Sequence, residues 1–492
     1  MTEDEFLALA RAGHNRIPLQ LETLADLDTP LSIYLKLASR AGSYLLESVI
    51  GGERFGRYSI VGLPAREMIE VRGERVRRLR DGAAVDDREV ADPLQYIDEY
   101  LRSFRAALPA GTLRFAGGLA GYFGYDIVRY IEPKLGRAAK PDPIGLPDIR
   151  LLLSEELAVV DNLSGKLHLI VYADPSAKGA HGKALARLQE LRAQLRRPSE
   201  LPPHAPRERL EPARSNIAEA KFYEAVARCK RYIEEGDIFQ VQISQRIAQP
   251  FPYSPVNLYR SLRSINPSPY MFYFDFGDAQ LVGASPEILV RREGDKVTLR
   301  PIAGTRRRGA TPEKDLEMER ELVSDPKERA EHVMLIDLGR NDVGRIAKVG
   351  SVKVTETMVV ERYSHVMHMV SNVEGTVARD LTPMELLRAT FPAGTVTGAP
   401  KVRSMEIIEE LEPEKRGVYA GAAGYLGFNG NLDLAISIRT GVVKDATLYV
   451  QAAAGIVADS IPENEWLETK NKARAVLAAA EQVHGELDKP VD

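Results

Sequence analysis

The chain has 492 residues, 44% apolar and 28% charged, a globular composition that excludes a wholly disordered protein. Its 66 basic and 70 acidic side chains nearly cancel to a formal charge of -4. That balance leaves no global electrostatic footprint for nucleic acid or an anionic membrane surface.

At about 150 residues per domain the length corresponds to roughly three domains, or two large ones. The single cysteine, Cys229, excludes an intrachain disulfide framework and a cysteine-only zinc site. The first residues, MTEDEFLALARAGHNR, are acidic and then amphipathic, unlike a signal peptide. No apolar run approaches the ~18 residues of a membrane span, so the expectation is a soluble, cytoplasmic protein.

In chain order, Tyr34 to Ile50 carries apolar clusters. Leu157 to Val160, a turn at Asp161 to Gly165 and Leu167 to Tyr172 read as a hairpin. Lys183 to Arg196 has helical spacing. Arg197 to Arg214 holds five prolines and no apolar periodicity, and reads as an extended connector. We therefore expect an N-terminal region over 1–197, a Pro-rich connector over 198–215 and a second unit over 216–492.

Beyond the connector, Asn216 and Glu219 have capping-box spacing, and Phe222, Val226, Cys229 and Ile233 form a helical stripe closed by Gly236. On that stripe Cys229 is a core residue rather than a reactive thiol. Strand-like runs follow at Gln240 to Ala248, Tyr270 to Phe276, Ile288 to Arg292 and Lys296 to Arg300. Thr311-Pro312 and Asp325-Pro326 each read as an N-cap followed by proline at the first helical position. Three further strands are expected at Val418 to Phe428, Leu432 to Thr440 and Ala446 to Ile456, the first two joined by the hairpin dipeptide Asn429-Gly430. Ser460, with Glu463 three residues on, is expected to cap a last helix. Hairpins in series interrupted by helices give an α+β fold class with large antiparallel sheets, not a doubly wound fold.

Four constellations carry chemistry. Glu328 with Glu331, and Glu465 with Glu468, are i, i+3 pairs, so each pair shares one helix face. Brought together they would make an all-oxygen cage suited to Mg²⁺; apart, they are two solvated faces. The run Ala393 to Lys401 is rich in glycine and hydroxyls but lacks the Walker ending, and serves equally as an anion cradle or as a loop with a helix cap at Thr397. Along Leu432 to Thr440, Leu432, Leu434, Ile436 and Ile438 alternate with Asp433, Ala435, Ser437 and Arg439. Arg439 is then either a carboxylate fork or an outward surface charge. Ala453, Ala454 and Gly455 are small enough for a ligand to lie against the backbone. His365 and His368 are three apart, either ligands, though no third metal ligand lies nearby, or acid/base groups, or packed or exposed rings. No nucleophile elbow or dinucleotide fingerprint occurs. Arg306, Arg307 and Arg308 lack the aromatic interleaving of a nucleic-acid surface.

Together these segments resemble the chorismate-utilising enzymes. The residues that carry the resemblance are Pro301 to Arg306, Asp337 to Asp342, Gly394 to Lys401, and Glu468-Thr469 with Lys472. Leu45 to Ser48 and Gly56 to Ser59 are similar to the large subunits of anthranilate synthases, so the resemblance covers most of the chain. It implies that family's fold, and conversion of chorismate and ammonia to anthranilate and pyruvate by way of aminodeoxyisochorismate. The ammonia would come from a separate glutamine amidotransferase subunit.

By the same resemblance, Glu331 and Glu468 would hold Mg²⁺, with Glu328 and Glu465 beside it. Glu287 would be the general acid and His368 would act in pyruvate loss. Gly304, Thr305, Tyr419, Arg439, Ala453, Ala454 and Gly455 would contact substrate. Ser48, Pro269, Tyr270 and Met271 would bind tryptophan as a feedback inhibitor, which makes the N-terminal region regulatory and the last unit catalytic. Two positions choose within the family. Relatives that add water carry a lysine base where this chain has Gln240, and aminodeoxychorismate synthases carry a nucleophilic lysine where it has Ala303. Neither an amide nor a methyl can do that chemistry. The competing readings are an aminodeoxychorismate synthase component and a non-catalytic subunit that binds tryptophan or chorismate.

Overall fold

The computed structural model describes residues 1–49, 56–109, 111, 113–136, 140–203, 211–363, 366–378, 380–485 and 487. Among them, the strands assemble into two twelve-stranded sheets. The first runs in space from Ile17–Leu24 through Lys166–Ala173, Glu156–Asp161, Tyr58–Gly62 and Ser43–Glu47. It continues through Tyr270–Asp275, Ala279–Ser285, Thr440–Lys444, Thr447–Ile456 and Gln240–Pro250 to Arg214–Ser215. The second runs from Ile302–Arg307 through Val366–Thr376, Lys296–Leu299, Ile288–Glu293 and Leu432–Ile436. It ends through Ala422–Gly427, Gly118–Phe123, Ile149–Ser154 and Glu67–Arg72 to the 75–80 and 83–89 hairpin. This is the expected α+β architecture with large antiparallel sheets.

Strand parity explains the layering, because successive side chains leave opposite faces. Tyr44, Phe272, Phe274 and Leu281 of the first sheet meet Tyr122, Leu152, Ala423 and Tyr425 of the second in a core between the sheets. The alternate residues Leu45, Tyr273 and Val282 turn outward to a second core, under the helices Pro30–Leu37, Ala180–Leu195, Pro255–Ile265 and Pro462–Gly485. Leu119, Leu151, Leu434 and Ile436 do the same on the far side, beneath Pro93–Arg102, Pro326–Gly344 and Pro383–Thr390. The segments before and after the connector share both sheets: Leu46 pairs with Phe272 in one, and Gly121 with Gly424 in the other. Residues 204–210 of the expected connector lie outside the described residues. Among the described residues no helix is long and apolar enough to cross a membrane.

The local signals held at several places. Leu157 to Tyr172 is a hairpin, and so is the pair joined at Asn429-Gly430. Thr311 and Asp325 cap their helices, Asp325 accepting from the amides of Lys327 and Glu328. Three expectations are corrected. The Asn216 side chain accepts from the Arg246 amide and donates to Glu414, and so does not cap its helix, which starts at Glu219. Ser460 accepts from the Val457 amide, and the last helix begins at Pro462. The expected strand Leu432 to Thr440 is two strands in different sheets, Leu432–Ile436 and Thr440–Lys444. The chain crosses between the sheets at Ser437 to Arg439, where Arg439 takes a φ of 52°.

Candidate active site

The crossover at Arg439 places the end of the second sheet against the 453–455 wall of the first. Gly455 pairs with Gln242, and Ala453 with Ser244. A Cβ on Gly455 would lie 2.6 Å from Gln240 Nε2 and 2.8 Å from Gln242 Nε2, so the wall is flat because glycine stands there. The Arg439 carbonyl accepts from the Ala284 amide at 3.1 Å, while its guanidinium makes no hydrogen bond or ion pair among the described residues. Burial lowers its pKa, against the opposing charges of Tyr419, Glu468 and Glu287. An arginine in that state offers its fork to an incoming carboxylate. Tyr419 lies beside the Ala453 main chain.

Glu287 is buried, and that burial raises its pKa to about 8 despite Thr395, the Ile302 amide and Arg439, which favour the charged form. At neutral pH it therefore carries a proton, the state a general acid requires. His368 is the converse: burial lowers its pKa to about 4. Its Nδ1 lies 3.0 Å from the Gly304 carbonyl oxygen and 3.1 Å from Thr305 Oγ1. A carbonyl only accepts, so Nδ1 carries the hydrogen and Nε2 is left as an acceptor. Gly304 can do this because its strand bulges between Ala303 and Thr305 and its φ is 66°. It also stands near one of the carboxylates: a Cβ there would lie 3.1 Å from Glu328 Oε2. Ser364 and His365 lie outside the described residues.

The glutamates of the two helices lie near enough for Glu468 and Lys472 of one to act on Glu331 of the other. Burial raises the Glu331 pKa, and the neighbouring charges of Glu328 and Glu468 raise it further. Burial, with Glu468, raises Glu465. Carboxylates that repel in this way, with no sulfur or imidazole among them, are the donor set of a hard divalent cation. Among the described residues no three ligating groups stand close enough to chelate an ion as they are. Gln240 Nε2 donates to Glu331 at 3.1 Å, Lys472 reaches Glu468 at 2.6 Å, and Arg306 reaches Glu328 at 3.0 Å.

Arg306 and Lys472 are roles that sequence reasoning missed. Arg306 also pairs with Glu321 and Asp325, and Lys472 donates to the Ala453 carbonyl, tying the carboxylate helix to the wall. Their only signal was membership of the quoted motifs. The run Ala393 to Lys401 is not an open anion cradle. Thr397 donates back to the Ala393 carbonyl rather than capping a helix, and Lys401 is paired with Asp342.

A second cleft, of about 580 Å³ of empty space, brings together Ser48, Pro269, Tyr270 and Met271 from opposite sides of the connector. Buried Glu47 holds the strand before Ser48 in place, accepting from Tyr259 and Arg263 at 2.6 Å each. Arg291 crosses the cleft wall to Asp433 and to the Tyr270 hydroxyl.

Residues 63–478 match the family described as chorismate binding enzyme. Anthranilate synthase component 1 of Neisseria meningitidis serogroup A is 56% identical, over 99% of this chain and 100% of that protein. Its counterpart in Pseudomonas putida is 55% identical, over 97% and 98%. The solved structure of anthranilate synthase component I from Streptococcus pneumoniae TIGR4 superposes with a TM-score of 0.75 at 38% identity, covering 92% of this chain and 98% of that one. The menaquinone-specific isochorismate synthase from Escherichia coli shares the fold, with a TM-score of 0.71 at 19% identity over 97% and 98%.

Proposed function

The chain belongs to the chorismate-binding enzymes, and from that membership we infer that it converts chorismate and ammonia to anthranilate and pyruvate, as an anthranilate synthase component 1. The observation that carries this reading is a proton-holding Glu287 beside the unpaired Arg439, against a wall of small residues. Arg439 would take the enolpyruvyl carboxylate of chorismate, with Gly304, Thr305, Tyr419 and the 453–455 wall shaping the rest of the site. Glu287 would give its proton to the departing ring hydroxyl, which leaves as water, while ammonia adds to the ring carbon beside the ring carboxylate. Nε2 of His368 would accept the ring proton as pyruvate is lost and the ring becomes aromatic. Glu331 and Glu468, with Glu328 and Glu465 beside them, would hold Mg²⁺, which would bind the ring carboxylate and stabilise charge as the hydroxyl leaves. Gln240 stands against Glu331. Its amide has no basic lone pair to activate water, which favours ammonia as the nucleophile.

The 1–197 region is the regulatory one in this reading and 216–492 the catalytic one, with the cleft of Ser48 and Pro269 to Met271 receiving tryptophan. A glutamine amidotransferase partner would supply the ammonia. Purified chain with chorismate, Mg²⁺ and ammonium salt should produce anthranilate fluorescence, and glutamine in place of ammonium should not. Silence with ammonium would overturn the activity; turnover with glutamine alone would overturn the need for a partner.

A further inference from the structure

The strand Val366–Thr376 pairs with Lys353–Arg362 as an antiparallel ladder, and His368 stands opposite Glu361 in it. The Tyr363 amide donates to the Val366 carbonyl, which continues the pairing past Arg362. Side chains alternate along a strand, so Tyr363, Glu361 and His368 leave one face. There the Tyr363 and His368 rings lie 5.5 Å apart between centroids, with their planes tilted by 62°. The buried Tyr363 donates its hydroxyl hydrogen to Glu361 Oε2 at 2.9 Å, and Arg300 holds the same oxygen at 3.0 Å. Arg308, itself paired with Asp315, donates to the Tyr363 carbonyl at 2.7 Å.

A hydrogen bond at Nδ1 fixes one corner of the His368 imidazole. The tilt about that corner, which aims Nε2, is left to what packs against the ring. Burial raises the Tyr363 pKa, so the phenol keeps its proton and stays a donor to Glu361. The tyrosine is thus anchored at main chain and hydroxyl, with its ring held against the imidazole. We propose that Tyr363 is a positioning residue for the second half of the reaction: its ring, anchored by Glu361, aims Nε2 of His368 at the proton removed as pyruvate leaves. The inference rests on the reading of His368 as the group that takes that proton. In that step the C–H electron pair enters the aromatic ring, the ether C–O bond breaks, and the released enolate takes a proton at carbon to become pyruvate.

Glu287 is near enough to act on the Tyr363 phenol, but Thr395 and the Ile302 amide hold its own carboxyl. A change at Tyr363 should therefore fall on the His368 step rather than on the Glu287 step. The charges that act on the imidazole are Arg439 and Glu361, with Arg300 paired to Glu361 and Glu328 across Gly304. Tyr363→Ala alters none of them. It leaves beside His368 a space with Glu361 on its wall, polar enough to take up water.

The test follows single turnovers of chorismate, with ammonium and Mg²⁺, by Tyr363→Phe and Tyr363→Ala. Chorismate should disappear within about twofold of the normal rate, while conversion of aminodeoxyisochorismate to anthranilate slows. Tyr363→Ala should lose about 10²-fold in that conversion, the scale of a misplaced reacting group. Tyr363→Phe keeps the ring but gives up its anchor, and should lose a smaller factor in the same step. Aminodeoxyisochorismate should accumulate in both and be seen by chromatography. The acid limit of the conversion should move in Tyr363→Ala from a pH of about 4 towards the ordinary histidine range, because water reaches the imidazole. Equal slowing of both halves, an acid limit unmoved in Tyr363→Ala, or normal conversion by Tyr363→Phe would overturn the proposal. Tyr363→Phe decides the matter should Tyr363→Ala not fold. His368→Gln separates the two ideas: if it converts aminodeoxyisochorismate normally, the reading of His368 fails, whatever the tyrosine variants do.

Discussion

Gly304 faces His368 and Glu328 at once: its carbonyl oxygen accepts from His368 Nδ1 at 3.0 Å, while the position of its missing Cβ lies 3.1 Å from Glu328 Oε2. One bulged residue thus sets the imidazole and the carboxylate helix relative to each other.

Gly304→Ala should therefore damage catalysis more than folding. The new Cβ would come 2.8 Å from Leu322 Cδ1, and a φ of 66° costs a residue with a Cβ about 1–2 kcal/mol. A displacement near 1 Å at a reacting group costs about 10²-fold. We expect kcat to fall by about that factor, with the melting temperature lowered by only a few degrees. A variant with wild-type kcat would contradict the arrangement.

The two titrating groups predict an activity plateau. Below a pH of about 4 His368 gains a proton and Nε2 stops accepting; above about 8 Glu287 ionises and cannot donate. The stability signs are opposite to each other. His368 has its pKa below its ordinary 6.5, so its contribution is lost as pH falls from there. Glu287 has its pKa above its ordinary 4.5, so the folded state binds more protons and stability falls as pH rises towards 8. Melting curves of Glu287→Gln and wild type between pH 5 and 8 should diverge, the variant gaining at the alkaline end. Parallel curves would argue against a buried, protonated Glu287.

Glu331→Gln and Glu468→Gln should each abolish turnover with the fold retained. Replacing Glu331 removes a charge that Glu328 and Glu468 repel, so its metal-free melting temperature should hold or rise. Added Mg²⁺ should stabilise the wild type, by about 2.7 kcal/mol at a hundredfold excess over Kd, and should leave both variants unmoved. Normal activity, or an undiminished Mg²⁺ shift, would remove those residues from the metal site.

Ser48→Phe should relieve inhibition by tryptophan with little change in uninhibited turnover, since a ring there fills the cleft that Ser48 lines and leaves the carboxylates alone. Coupling between sites is reciprocal and typically about 1–3 kcal/mol. Calorimetric titration of tryptophan should show weaker binding with an unreactive chorismate analogue present. Equal affinity in both titrations would rule out the coupling, and undiminished inhibition of Ser48→Phe would rule out the site.

The sequence by itself determined what depends on neighbours in the chain. Turn residues set the hairpins at Asp161 to Gly165 and at Asn429-Gly430, caps set the helix starts at Thr311 and Asp325, and three-residue spacing put Glu328 with Glu331 on one helix face. The motifs named the residues proposed for the site. Tertiary structure alone decided the rest. Alternation through Ile438 continues past the point where the chain changes sheets, so periodicity could not end the strand at Ile436. The meeting of Ser48 with Tyr270 depends on two strands more than two hundred residues apart pairing across a shared sheet. The proton on Glu287, the bare imidazole nitrogen of His368 and the Asp342–Lys401 pair follow from burial, because removing water is what changes the cost of a charge, and burial belongs to the packed molecule rather than to any stretch of its sequence.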